Sequence, residues 1–215
     1  IVRAVDLLRE YGVGSLNFDL MYGLPGQTLL ELEATLERAV ELGPDRIALF
    51  GYAHVPHMLP RQRRIDATAL PNQTERFAMA EFGYRLLTSA GYVAIGFDHF
   101  AKPGDPMARA LEQGRLHRNF QGFTDDPAKV LVGLGASAIG CFPDVLIQNE
   151  KNAGRYRMLV GADQLTGRKG VGRNADDRRR GAIITDLLCR GRAAIDGDLL
   201  AINRDRLDAF IQRGL

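Results

Sequence analysis

At 215 residues, with 46% hydrophobic and 25% charged side chains, the chain has the make-up of a folded globular protein, which excludes disordered, collagenous and low-complexity classes. With 28 Lys and Arg against 26 Asp and Glu, the formal charge is +2, too balanced for a general binder of nucleic acid or of membrane surfaces. No apolar run nears the roughly 18 residues of a bilayer span, and the amino end lacks a signal-peptide core, so the sequence reads as cytosolic.

Val2, Val5 and Leu8 mark a helix that stops at Gly12 with no capping residue ahead of it. The far end, Asp208 to Gly214, is a second apolar helical stripe, and with Ile as first residue the sequence reads as a piece of a longer chain. Leu16, Phe18, Leu20 and Tyr22 alternate with Asn17 and Asp19 as a strand does. Gly23-Leu-Pro-Gly-Gln turns the chain, and Thr28 with Glu31 forms a capping box for a helix with Leu29, Leu32, Leu36, Ala39 and Val40 on one face, ending at Gly43-Pro44. A second strand is expected from Arg46 to Tyr52. Asn72 with Glu75 caps a longer helix whose expected stripe is Phe77, Ala80, Tyr84 and Leu87, and Tyr92 to Phe97 is a third strand. Strand, helix, strand, helix, strand at this spacing predicts parallel strands joined by right-handed crossovers, hence an α/β architecture.

Asp105-Pro106 opens a short helix to Gly114. Gly133-Leu-Gly-Ala-Ser-Ala-Ile-Gly140 is small and apolar, a place where backbone approaches something closely. Residues 161 to 175 hold four glycines among polar residues and read as an exposed loop. Helices return from Asp176, with Ile183, Ile184, Leu187 and Leu188 on one face. The expected division is residues 1–150, a partial α/β barrel with the motif segments that follow it, and residues 151–215, a connecting loop and the beginning of a helical carboxyl-terminal domain.

Ligands of parallel sheets sit at the strands' carboxyl ends, which directs attention to Asp19 with Tyr22-Gly23, to Tyr52-Ala53-His54 and to Asp98-His99. An unpaired buried carboxylate is costly, so Asp19 must face a ligand or loop amides. Four histidines and the widely separated Cys141 and Cys189 match no metal-ligand spacing, and no metal ligand is assigned. Arg61, Arg63 and Arg64, and the set Lys102, Arg109, Arg115 and Arg118, are donors suited to carboxylates, although a solvated face is the default for each.

Five segments extend this reading: Asn17-Phe-Asp-Leu-Met-Tyr-Gly-Leu-Pro-Gly-Gln-Thr28, Phe50-Gly-Tyr-Ala-His-Val-Pro56, Gly96-Phe-Asp-His-Phe-Ala-Lys-Pro103, Leu116-His-Arg-Asn-Phe-Gln-Gly-Phe-Thr124 and Gly133-Leu-Gly-Ala-Ser-Ala-Ile139. In order and spacing they resemble consecutive motifs of the oxygen-independent coproporphyrinogen III oxidases, over essentially the whole chain. The resemblance implies the later half of a radical S-adenosylmethionine (SAM) barrel of six strand-helix units, followed by the start of a helical domain. It also implies a [4Fe-4S] cluster, two bound SAM molecules and conversion of two propionates of coproporphyrinogen III to vinyl groups in heme biosynthesis. It gives Asp19 and Ala53 a place against the second SAM, Ile139 a place against the cluster-bound SAM, and Phe120 and Gln121 a place near the reaction. Arg61, Arg63 and Arg64 are then candidates for the substrate's carboxylates. Coproporphyrinogen III is the expected partner, with no nucleic acid and no membrane, and the complete protein is expected to be a monomer.

The resemblance has one departure. The family's C-x-x-x-C-x-x-C cluster loop is absent, as are its glycine-rich SAM motif and an early catalytic acid, so this chain alone is expected to be inactive. A heme chaperone of the same superfamily shares the Tyr-Gly-Leu-Pro strand but carries Asn-Phe-Ala and a Trp-containing motif, whereas this chain has Asp-His-Phe-Ala, Asn-Phe-Gln-Gly and no Trp. A nucleic-acid-binding winged-helix-like module is the third reading, resting on Arg168 to Arg173 and Arg178 to Arg180; balanced charge and the lack of interleaved aromatics oppose it.

Overall fold

The computed structural model describes residues 1–214, which pack as two compact units, Ile1–Leu116 and the chain from His117 onward. The first contains α1 (Val2–Glu10), β1 (Asn17–Tyr22), α2 (Leu29–Leu42), β2 (Arg46–Gly51), α3 (Gln73–Ser89), β3 (Val93–Ile95), β4 (His99–Ala101) and α4 (Pro106–Glu112). Both capping boxes form. The Thr28 hydroxyl accepts from the Glu31 N–H while the Glu31 carboxylate accepts from the Thr28 N–H at 2.8 Å, and Asn72 and Glu75 repeat the exchange. The Thr28 N–H, then its hydroxyl, hold the Glu31 carboxyl below the usual carboxylate range. α2 stops where Gly43 takes the left-handed conformation at φ 60°.

β1 and β2 are parallel, in register from Asn17 with Arg46 to Tyr22 with Gly51, with α2 as their crossover. The third expected strand is present but shorter, and it does not lie beside β2. β4 returns antiparallel from β3 and takes that place, giving the order β1-β2-β4-β3. Two strands of three residues each are too short to show an alternation, and the Gly96 turn at φ 64° makes the hairpin. Asp98 and His99 therefore stand at a hairpin rather than at the end of a parallel strand.

The core of this unit joins Leu32 and Leu36 of α2, Ile47 and Leu49 of β2, Met79 and Leu87 of α3, Tyr92 and Phe100. Each such side chain contributes about 1.5–3 kcal/mol by leaving water. The expected α3 stripe is rotated: Phe77 is 73% exposed and the buried line runs Met79, Gly83, Leu87. Gly83 explains the rotation, because a Cβ there would lie 2.4 Å from Leu49 Cδ2, so the helix meets the sheet along its glycine. Buried Asp105 caps α4 by accepting from the Met107 N–H at 2.8 Å, and accepts Arg46 Nε on its two oxygens at 2.9 and 2.8 Å.

The second unit holds β5 (His117–Arg118), β6 (Phe123–Thr124), β7 (Ile139–Cys141), β8 (Val145–Asn149), α5 (Ala153–Gly161), β9 (Gly167–Gly172), α6 (Ala175–Arg190) and α7 (Gly197–Gln212). β5 and β6 form a hairpin, and β7, β8 and β9 an antiparallel sheet. Within the expected loop at 161 to 175, residues Gly167–Gly172 form a strand: β9 pairs with β8 although all six of its residues are exposed. Glycines and cations give no side-chain alternation to read, while the backbone still pairs, and cations on such an edge oppose further pairing. The division expected near residue 150 lies between β8 and α5, within the second unit. No helix of the described residues is long and apolar enough to cross a membrane.

Candidate functional site

Period-two alternation gives β1 two faces. Phe18, Leu20 and Tyr22 pack on the core, while Asn17, Asp19 and Met21 are exposed on the other side. Register extends that second face across the sheet: Asp19 is the partner of Ala48, Ala48 of His99, and His99 of Ile95. Asp19 is thus not a buried acid, and open space relieves the desolvation cost that its strand position suggested. One of its oxygens accepts from Asn17 Nδ2 at 2.7 Å, and the other accepts no hydrogen bond among the described residues. His99 Nδ1 pairs with the Asp98 carboxylate at 2.6 Å, and its ring meets Phe50 edge-on at 5.7 Å between centroids. Asp98 and His99 reach this region through the hairpin.

Beyond β2, the Tyr52 N–H donates to the Tyr22 carbonyl at 2.8 Å and Tyr52 is buried, so the chain leaves the sheet in a fixed direction. Ala53 follows, exposed. Its loop is clamped by Gln62, whose amide donates to the Ala53 carbonyl at 2.9 Å and accepts from the Val55 N–H at 2.6 Å. Gln62 belongs to the 3-10 helix Pro60–Arg64, on which Arg61, Arg63 and Arg64 are exposed and make no ion pair among the described residues. The three candidate arginines are therefore held close to Ala53 in the chain by a residue that no motif marked. A cavity of about 260 Å³ lies at the carboxyl ends of β1 and β2, between Tyr22, Gly51, Ala80, Phe97 and Asp98.

In the second unit, Phe120 and Gln121 form the tip of the β5-β6 hairpin, both exposed. Asn119 shapes this tip: its Oδ1 accepts from the N–H of Gln121 at 2.8 Å and of Gly122 at 3.2 Å, and its own N–H donates to the Gly122 carbonyl. Gly122 is at φ 150°, which only glycine adopts freely. Ile139 opens β7, half-buried. The close approach expected of residues 133 to 140 is to the chain itself, since a Cβ on Gly133 would stand 2.7 Å from the Ile139 carbonyl carbon. Asn149 Nδ2 staples this segment by donating to the carbonyls of Gly133 at 2.9 Å and Gly135 at 3.0 Å. The Gly135 N–H donates to the Tyr156 hydroxyl oxygen at 3.0 Å. Asn149 and Tyr156 escaped the sequence reading; the one signal for Asn149 was an amide closing an apolar strand.

The two thiols do not make a cluster site. Cys141 lies in β7 with the Arg173 guanidinium 3.8 Å from its sulfur, and Cys189 is buried in α6, where desolvation, against the nearby Arg118 and Arg190 charges, pushes its thiol up. A [4Fe-4S] cluster with one open iron requires three thiolates, and no group of three metal-ligating side chains occurs among the described residues. Asp19, exposed, keeps one carboxylate oxygen that can accept from a hydroxyl or an ammonium group. The basic run of α6 is committed internally, with Arg178 on Asp144, Arg179 on Asp176 and Asp196, and Arg180 on Asp176.

No family model matches the chain. It is 47% identical over 208 residues to the oxygen-independent coproporphyrinogen III oxidase of Bradyrhizobium diazoefficiens, covering 97% of this chain and 46% of that protein. The enzyme of the same description from Escherichia coli is 40% identical over 192 residues, 89% of this chain and 42% of the relative. The solved structure of the Escherichia coli coproporphyrinogen III oxidase, described as a radical SAM enzyme, superposes with a TM-score of 0.89 at 35% identity, covering 100% of this chain and 52% of that one. Over nearly all of its length the chain is similar to one part of the oxygen-independent coproporphyrinogen III oxidases. It spans under half the length of the curated relatives it matches, and its mixed α/β fold is that of the corresponding part of a radical SAM enzyme.

Proposed function

We propose that this chain is the SAM-facing and substrate-facing part of a coproporphyrinogen III dehydrogenase, which oxidatively decarboxylates two propionates of coproporphyrinogen III to give protoporphyrinogen IX. The observation that carries the reading is 47% identity over 208 residues, 97% of the chain. Residues 1–150 are then barrel and motif segments, and residues 151–215 the entry to a helical domain. When bound, SAM with its cluster supplies the one-electron chemistry, and this chain supplies no cluster ligand.

The residues present bind and orient. Asp19, on the open face of β1, accepts from a hydroxyl or ammonium of the second of two SAM molecules, and Ala53 leaves its loop free of bulk beside that ligand. Ile139 offers an apolar surface to the adenine of the other. Phe120 and Gln121, projected from a hairpin fixed by Asn119, supply an apolar ring and an amide against the substrate. Arg61, Arg63 and Arg64 offer guanidinium forks to its carboxylates.

Joining this chain to the cluster-bearing first half of the Bradyrhizobium relative gives the test. Under anaerobic reduction the chimera is expected to convert coproporphyrinogen III, and Asp19→Ala, Gln121→Ala and Ile139→Ala each to lower turnover at least about tenfold with an unchanged melting temperature. A folded chimera that holds its cluster and cleaves SAM without converting the porphyrinogen would overturn the reading.

A further inference from the structure

We propose that Arg76, assisted by the Tyr22 hydroxyl, is a carboxylate-binding site at the carboxyl ends of β1 and β2. The proposal rests on the function proposed above and adds to it a residue outside every motif segment. Arg76 lies in the first turn of α3, half-buried, and makes no side-chain hydrogen bond or ion pair among the described residues. Its side chain passes over two glycines. A Cβ on Gly23 would lie 3.6 Å from its Cγ and 3.7 Å from its Nε, and a Cβ on Gly51 would lie 3.1 Å from its Nη2 and 3.0 Å from the Tyr22 hydroxyl. Gly23 at φ 75° and Gly51 thus leave open the space that guides a guanidinium to the ends of both strands, beside a phenol that is also without a hydrogen-bond partner among the described residues.

The surroundings define the ligand. Tyr22 and Gly51 line the cavity of about 260 Å³, and Ala80, one turn beyond Arg76 on α3, lines it as well. Asp98 lines the same cavity with one oxygen bonded to His99, and Arg76 makes no ion pair with it or with any other carboxylate among the described residues. A guanidinium fork with a neighbouring O–H donor matches the two oxygens of a carboxylate. The volume falls below the ~300–1,000 Å³ of sites that enclose a whole drug-sized ligand, so it takes a carboxyalkyl arm rather than a macrocycle. Two ligands of the proposed reaction carry such a group, the propionates of the tetrapyrrole and the amino-acid end of SAM, and the assignment here is to a propionate.

The test follows the Arg76 side-chain N–H resonance of the full chain, identified by its loss in Arg76→Gln, during titration with succinate. Succinate is expected to shift it, and titration calorimetry to give an affinity reduced about tenfold or more in Arg76→Gln and less in Arg76→Lys and Tyr22→Phe, while circular dichroism shows all variants folded. Coproporphyrin III is expected to compete with succinate, and its tetramethyl ester and methionine are not. An Arg76 signal indifferent to succinate, or equal binding by parent, Lys and Gln forms, overturns the site. Competition by methionine and not by coproporphyrin III overturns the propionate assignment and leaves the carboxylate site standing. Succinate binding with no competition from coproporphyrin III also leaves the site standing and counts against the porphyrinogen function.

Discussion

Gly133 shows how much a single absent side chain decides. Its missing Cβ would press on the Ile139 carbonyl carbon at 2.7 Å and the Gly140 nitrogen at 2.9 Å, backbone atoms that cannot rotate away. Gly133→Ala is therefore expected to cost about 1–3 kcal/mol, as overpacking does, read by urea denaturation. The sequence announced a close approach in this segment, and Ile139 as the object of it could not be read, because the contact depends on the fold-back from Gly135 to Ser137. Asp45 makes a different residue-level case. Burial raises its carboxyl, but the Leu16 N–H at 2.9 Å, then Lys102, outweigh burial and leave it below the usual range. A depressed folded value means that its stabilisation is complete above the unfolded pKa of about 3.9 and is lost as pH falls through the lower, folded value. Asp45→Asn is expected to flatten that acid limb in a series of denaturation curves, with the parent losing more stability on acidification than the variant.

At the scale of the element, what is local was legible and what is distant was not. Thr28 with Glu31 and Asn72 with Glu75 announce helix starts from four residues each, and both boxes form as written. Thr28→Ala should lower stability by about 1 kcal/mol. The rotation of α3 depends on Leu49, far away in sequence, and so Phe77 and Tyr84 were misplaced by periodicity alone. Gly83→Ala tests the contact: helix propensity favours alanine by about 1 kcal/mol, yet the 2.4 Å clash with Leu49 Cδ2 is expected to make the variant less stable than the parent. Combining it with Leu49→Ala should remove the clash, so that the double variant is more stable than the two single effects sum to, a coupling that a thermodynamic cycle measures.

For the whole chain, apolar surface remains uncovered. Leu134 is 84% exposed, Leu165 93% and Ile202 72%, and β1 ends its sheet with an unpaired edge and Met21 43% exposed on the open face. Such surfaces mark sites of association. Sedimentation velocity is expected to show self-association that grows with concentration and weakens in Met21→Lys; a monomer at all concentrations would contradict this. The candidate site was legible in proportion to its locality. Asp19 stands within a strand that alternation locates and Ala53 just past the end of another, whereas the pairing of Asp19 with Ala48 and of Ala48 with His99 needs the strand order, which a short hairpin conceals.

The Gln62 clamp makes two pieces of chain into one mechanical body. With one amide bonded to both the Ala53 carbonyl and the Val55 N–H, the loop cannot shift without dragging the turn that bears Arg61, Arg63 and Arg64, or else surrendering two hydrogen bonds. For the ligands proposed above, the clamp links occupancy beside Ala53 to the poise of the three guanidinium groups, and by reciprocity each ligand would change the affinity of the other by one and the same factor.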